Sequence, residues 1–130
     1  MSSLVFSAVL LTGCHFGSAH DELLIGPYHL SAGKVLEEMH VCYALTNGDS
    51  VGRIDGTVFA VGWNDRFIVA KQHPRTNRKI TNFYILDISR DSTYADPSVC
   101  VTGPLSAAEF DGMQTKLHLP AFTRVFTSLE

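Results

Sequence analysis

The chain opens on a short apolar run, Leu4 to Leu11, and beyond residue 25 changes to brief segments of alternating character. Residues 38 to 45 show the alternation best. Met39, Val41, Tyr43 and Leu45 fall on one side, Glu38, His40, Cys42 and Ala44 on the other. A period of two predicts a strand with one face covered, and Asn47-Gly48-Asp49 ends it as a turn. Two denser runs, 57–63 and 67–72, flank Asn64-Asp65-Arg66. Asparagine and aspartate tolerate the left-handed backbone of a tight reversal, so this stretch predicts a β-hairpin. Asn82 to Ile88 reads as a strand buried over much of its length, and Tyr28 to Ala32 as a short earlier one. Val99-Cys100-Val101 is at most a short strand.

The pattern changes once more near the end. Ser106-Ala107-Ala108-Glu109 has the form of a capping box, serine as N-cap and glutamate three residues on. The helix it starts places Phe110, Met113 and Leu117 on one face and stops before Pro120. Phe122, Val125 and Phe126 form a last apolar cluster expected to pack back on the strands. The fold class is therefore mainly β, of the α+β kind: one antiparallel meander sheet of about five strands, with a single C-terminal helix on it. The domain is expected to span residues 26–128, with Leu129-Glu130 lying outside it as a tag remnant would.

Composition narrows the class. A chain of 130 residues holds one domain, and 45% hydrophobic with 18% charged residues is a folded rather than a disordered balance. A net charge of −3 argues against a nucleic-acid partner. The run from Leu4 to Leu11 is too short to cross a bilayer but has the length of an export-signal core. It leads into Leu11-Thr12-Gly13-Cys14, which resembles the lipobox of bacterial lipoproteins. That resemblance makes 1–13 a signal segment, Cys14 the lipidation site and 14–25 a tether. The implied location is the bacterial cell envelope, anchored by lipid and facing the periplasm (at the outer membrane in a two-membrane cell). Only the missing basic residue in Met1-Ser2-Ser3 departs from an export signal.

With Cys14 assigned to lipid, two cysteines remain, Cys42 and Cys100. An oxidising periplasm allows a disulfide between them, and two separately buried thiols are the other reading. His40 lies two residues from Cys42 and would share its strand face, so a thiol–imidazole pair is conceivable. A half-exposed histidine beside a buried cysteine is the simpler account. No Gly-x-Ser-x-Gly elbow is present, and the six histidines show no His-x3-His spacing nor the cysteines a Cys-x2-Cys. Neither metal nor cofactor is implied.

Gly62-Trp63-Asn64-Asp65-Arg66 through Lys71-Gln72-His73-Pro74 is similar to the signature of a family of small bacterial lipoproteins of uncharacterised function. Tyr84-Ile85-Leu86-Asp87, Gly103-Pro104-Leu105-Ser106 and Glu109-Phe110 extend the resemblance over most of residues 38–120. It implies an exported, lipid-anchored protein and no particular activity. For partners, the candidates are Trp63 beside the hairpin turn and the basic stretch carrying Lys71, Arg75, Arg78 and Lys79, able to attract an acidic partner or lipid headgroups. The expected function is a non-enzymatic, membrane-anchored module that binds another protein, an immunity or inhibitor protein being one form. An accessory lipoprotein of an envelope machine, or a small enzyme whose site forms only in three dimensions, are the alternatives.

Overall fold

The computed structural model describes residues 18–130. The expected signal segment, residues 1–13, and Cys14 lie outside the described residues. Among the described residues nine strands form two antiparallel sheets rather than the single meander expected. The first takes β1 (His20–Ile25), β2 (Tyr28–Ala32), β3 (His40–Ala44) and β4 (Ser50–Ile54) in sequence order. The second has the order β8-β7-β6-β5-β9, from β5 (Val58–Trp63), β6 (Phe67–Gln72), β7 (Asn82–Asp87), β8 (Val101–Leu105) and β9 (Arg124–Val125). The chain leaves one sheet for the other at Asp55-Gly56-Thr57. There Gly56 passes so close to the backbone of residue 39 that a Cβ would stand 2.6 Å from the Met39 carbonyl oxygen. The meander is broken by that packing, which alternation along individual strands does not reveal.

Burial explains the two hydrophobic patterns. The second sheet is covered on both faces. Ile68, Ala70 and Leu86 share a core with Leu30, Val41 and Ile54 of the first sheet. On the other face, Phe67, Val69 and Ile85 pack with Phe110 of the helix α2 (Ala107–Leu117) and with Leu119. Strands β5 and β6 are therefore buried almost throughout, whereas β2 alternates because only one of its faces is covered. The α2 capping box forms as predicted: the Ser106 hydroxyl accepts from the Glu109 N–H at 3.1 Å, and the Ser106 N–H donates to Glu109 at 2.8 Å.

Three local expectations change. Residues 20–25 are not a tether but β1, paired with β2, so the fold begins before residue 26. Cys100 ends a short helical turn, α1 (Pro97–Cys100), instead of sitting in a strand. Leu129 is a core residue, 1% exposed, so the end of the chain belongs to the domain. The aromatic cluster does return to the sheet. The Thr123 and Phe126 N–H groups donate to the Val61 and Phe59 carbonyls at 3.0 and 2.8 Å. Here Gly62 is obligatory, since a Cβ would fall 1.8 Å from the Ala121 carbonyl oxygen.

Polar contacts fasten the first sheet to the rest. At one edge Arg124 Nε lies 3.1 Å from both carboxylate oxygens of Glu22 on β1, with its guanidinium over the Phe126 ring at 4.3 Å. At the other, Arg53 on β4 meets Asp91, in the loop after β7, through two hydrogen bonds of 2.8 and 3.0 Å. Their side chains are 1% and 0% exposed. The Tyr28 hydroxyl donates to the same carboxylate at 2.8 Å, and the Arg53 guanidinium also donates to the Gly52 and Ser92 carbonyls. Burial alone would raise the Asp91 carboxyl, but hydrogen bonds from Arg53 and Tyr28 hold it below the usual carboxylate range. Glu22 is lowered in the same way: burial opposes, and His20 and Arg124 prevail.

Asp91→Ala should cost about 3–5 kcal/mol in urea denaturation, because it strands the buried guanidinium. Carboxylates held low in the fold take up protons less readily than in the unfolded chain. Stability should therefore be full above the ordinary carboxylate range and fall as pH drops below about 4, which melting temperatures across an acid series would read.

Candidate functional site

The buried ion pair sets the shape of one end of the molecule. Asp91 begins a loop that a bare polar sequence, Ser92-Thr93-Tyr94, would leave mobile. Instead the Ser92 N–H donates back to Asp91 at 2.8 Å, its carbonyl accepts from Arg53, and the Thr93 hydroxyl lies 3.3 Å from the Tyr43 hydroxyl. Tyr43 is in turn fixed from below, by Arg53 5.1 Å from its ring centroid and by an edge-on contact with Tyr28 at 5.4 Å. Tyr94 projects from this clamped loop with 94% of its surface exposed. Beside it is a cleft of about 440 Å³ lined by Pro27, Tyr43, Leu45, Asn47, Thr93 and Tyr94. An exposed aromatic on an immobilised loop, with hydroxyl, amide and apolar groups around it, can insert into or receive a partner's side chains at little ordering cost.

The residues singled out in the sequence are not brought together. Trp63 is partly buried against the main core, so it supports the hairpin rather than projecting from it. Lys71 lies on β6 and rests its ammonium over the Phe122 and Phe83 rings, at 4.9 and 5.7 Å. Arg75, Arg78 and Lys79 are exposed on the loop after β6, at the far end of the first sheet from Tyr94. Arg75 borders an open cleft of about 530 Å³ together with Gly33, Glu38, His40, Asp55 and Gly56. The loop is pinned by His73, whose Nδ1 is 2.8 Å from the Ile80 carbonyl and whose ring stacks on Phe59 at 4.2 Å.

The cysteines are separate. Cys42 and Cys100 are both buried free thiols, so the disulfide considered above is not formed. Cys42 stands opposite His29 across β2 and β3; Cys100 donates to the Pro97 carbonyl at 3.7 Å beside Asp91. Burial raises both thiols, Cys100 to about 11 with Asp91 adding to the effect. Neither is a poised nucleophile. His40 does not engage Cys42; its Nδ1 lies 3.0 Å from the Glu38 carbonyl. Among the described residues no group of three or more His, Cys, Asp or Glu side chains is placed to hold a metal ion.

Residues 36–123 match the model of a family described as a protein of unknown function, DUF3997. The chain belongs to that family. No curated protein and no solved structure matches it. The matched range runs from the turn before β3 to the start of the return strand, and so takes in the clamped loop and Tyr94. Sequence reading missed this end because its determinants, Arg53 and Asp91, are 38 residues apart. The one local signal was an isolated tyrosine in a polar stretch.

Unreduced Cys14→Ser protein should react slowly with a thiol reagent when folded, yet release two thiols in denaturant. Zero thiols in denaturant would restore the bridge between Cys42 and Cys100.

Proposed function

We propose that this chain is a lipid-anchored protein of the bacterial cell envelope whose domain is a non-enzymatic protein-binding module, engaging its partner through the Tyr94 end. The observation that carries the reading is the exposure of Tyr94 on a loop held by a buried ion pair. Large exposed aromatics on rigid supports supply contact area without much loss of conformational entropy on binding. The neighbouring Tyr43, Thr93 and Asn47 offer the hydrogen-bonding rim typical of a protein interface. An immunity or inhibitor protein that blocks a toxin is the form that small size and export suit. The anchor rests on the Leu11-Thr12-Gly13-Cys14 sequence and its likeness to a lipobox, where several acyl chains would give stable attachment.

A second reading, a small enzyme, draws on the cleft at the opposite end. Glu38, His40, Asp55 and Arg75 bring two carboxylates, an imidazole and a guanidinium around one opening. The Nδ1–H of His40 donates to the Glu38 carbonyl, which fixes the orientation of its ring. Against it stands the lack of any hydrogen bond between those side chains that would set a proton-transfer path.

Affinity capture from the native envelope with the full-length protein as bait should return one stoichiometric partner. Tyr94→Ala should weaken that capture at least tenfold while leaving stability within about 0.5 kcal/mol, as for an exposed side chain. Equal capture by Tyr94→Ala, and its loss in His40→Ala, would move the site to the other cleft. For the anchor, Cys14→Ser should leave the membrane fraction; unchanged fractionation would refute lipidation.

A further inference from the structure

The end of the domain opposite Tyr94 collects features that the binding reading does not use. The described residues begin here: the Ala19 N–H donates to the Ala32 and Gly33 carbonyls at 3.0 and 2.6 Å. Gly33 shares the 530 Å³ opening with Arg75, so this point adjoins the basic loop. The loop is joined to the 36–38 turn by Arg78, 3.8 Å from Glu37, and through residue 57: Thr57 and His73 exchange backbone hydrogen bonds of 2.9 Å, and the Thr57 hydroxyl donates to the Glu37 carbonyl. Two large apolar side chains stand out on these adjoining segments, Val35 and Ile80, each 46% exposed. Around them Lys34, Arg75 and Lys79 are exposed cations. Glu37, Glu38 and Asp55 are here too; Glu37 is paired with Arg78, and Glu38 accepts the backbone N–H of Lys34 at 2.8 Å, so four cations face three carboxylates.

We infer that this end is a membrane-contact surface, with Ile80 and Val35 touching the headgroup boundary of a phospholipid bilayer and Lys34, Arg75 and Lys79 against lipid phosphates. The inference rests on the proposed anchor at Cys14. Five residue steps separate Cys14 from Ala19, and an extended chain covers at most about 3.5 Å per residue, roughly 17 Å in all. A domain of this size has a radius of gyration near 13 Å, so its diameter exceeds that reach. An anchored domain must then keep its entry end near the lipid and hold Tyr94 away from it. Exposed aliphatic side chains among lysines and arginines suit such an interface, because the basic side chains extend toward phosphate while the apolar ones sink. His73 holds the loop that carries Ile80, so the patch is presented without an ordering step.

The test uses full-length acylated protein in phosphatidylcholine–phosphatidylglycerol vesicles, with a polarity-sensitive fluorophore on Ile80→Cys or on Tyr94→Cys. The buried thiols of Cys42 and Cys100 leave the introduced cysteine as the reactive one. Vesicles should shift the Ile80 label to the blue and lower its quenching by aqueous iodide severalfold relative to unacylated Cys14→Ser protein. The Tyr94 label should not change. A vesicle-bound protein whose two labels are quenched alike overturns the contact surface and leaves the anchor standing. A protein that never joins the membrane fraction of cells overturns both.

Discussion

The Arg53–Asp91 pair is the constraint on which the rest of this structure turns. Two charges removed from water repay their desolvation only when every donor and acceptor is used. Here Tyr28, Gly52 and Ser92 complete the set, and Tyr43 covers the guanidinium from the side. Such a pair adds little net stability compared with a hydrophobic replacement, but it admits one geometry. It thereby fixes where the loop after β7 lies on the edge of the first sheet. The Tyr94 position, the cleft next to it and the burial of Cys100 all follow from that single placement.

The second constraint is the double coverage of the second sheet. Because the first sheet and α2 lie on opposite faces, β6 must be apolar at both its even and odd positions. The hydrophobic run from Phe67 to Ala70 meets that demand, and Lys71 ends it by laying its charge over aromatic rings at the rim. The edge of β5 is closed by the returning strand, which needs Gly62 bare. The clefts beside Tyr94 and beside Arg75 lie at opposite ends of the first sheet.

Much of this was legible in the sequence, and the misses share one cause. The 57–72 hairpin, the strand at 82–87, the α2 capping box and the return of the last aromatics are written in local periodicity and turn chemistry, and all are present. The division into two sheets was not, because it depends on Gly56 passing over the backbone of residue 39, a tertiary contact with no local pattern. β1 was read as a tether since His20, Asp21 and Glu22 look solvated; in the fold Glu22 is engaged with both His20 and Arg124. The same limit hid the Tyr94 end: a strand arginine and a loop aspartate, each unremarkable alone, become a site only when the fold brings them together. The basic stretch was visible as charge, but Lys71 faces α2 and only the residues beyond His73 share a surface.

Polarity along the first sheet connects these observations. Its strands are short, so each end of β2 and β3 is only a few residues from the other, yet the two ends have opposite character. At the Ala32 and His40 end lie the chain entry, exposed aliphatics and cations. At the Tyr28 and Ala44 end lie the ion pair, the clamped loop and a projecting phenol. A chain of five residues cannot reach around a folded domain, so entry at one end assigns the other to the aqueous side whenever residue 14 is held at a membrane. The rigidity supplied by Arg53 and Asp91 then has a physical use. A domain restrained near a surface samples few orientations, and an aromatic already fixed in its exposed position meets a partner with less entropy left to lose.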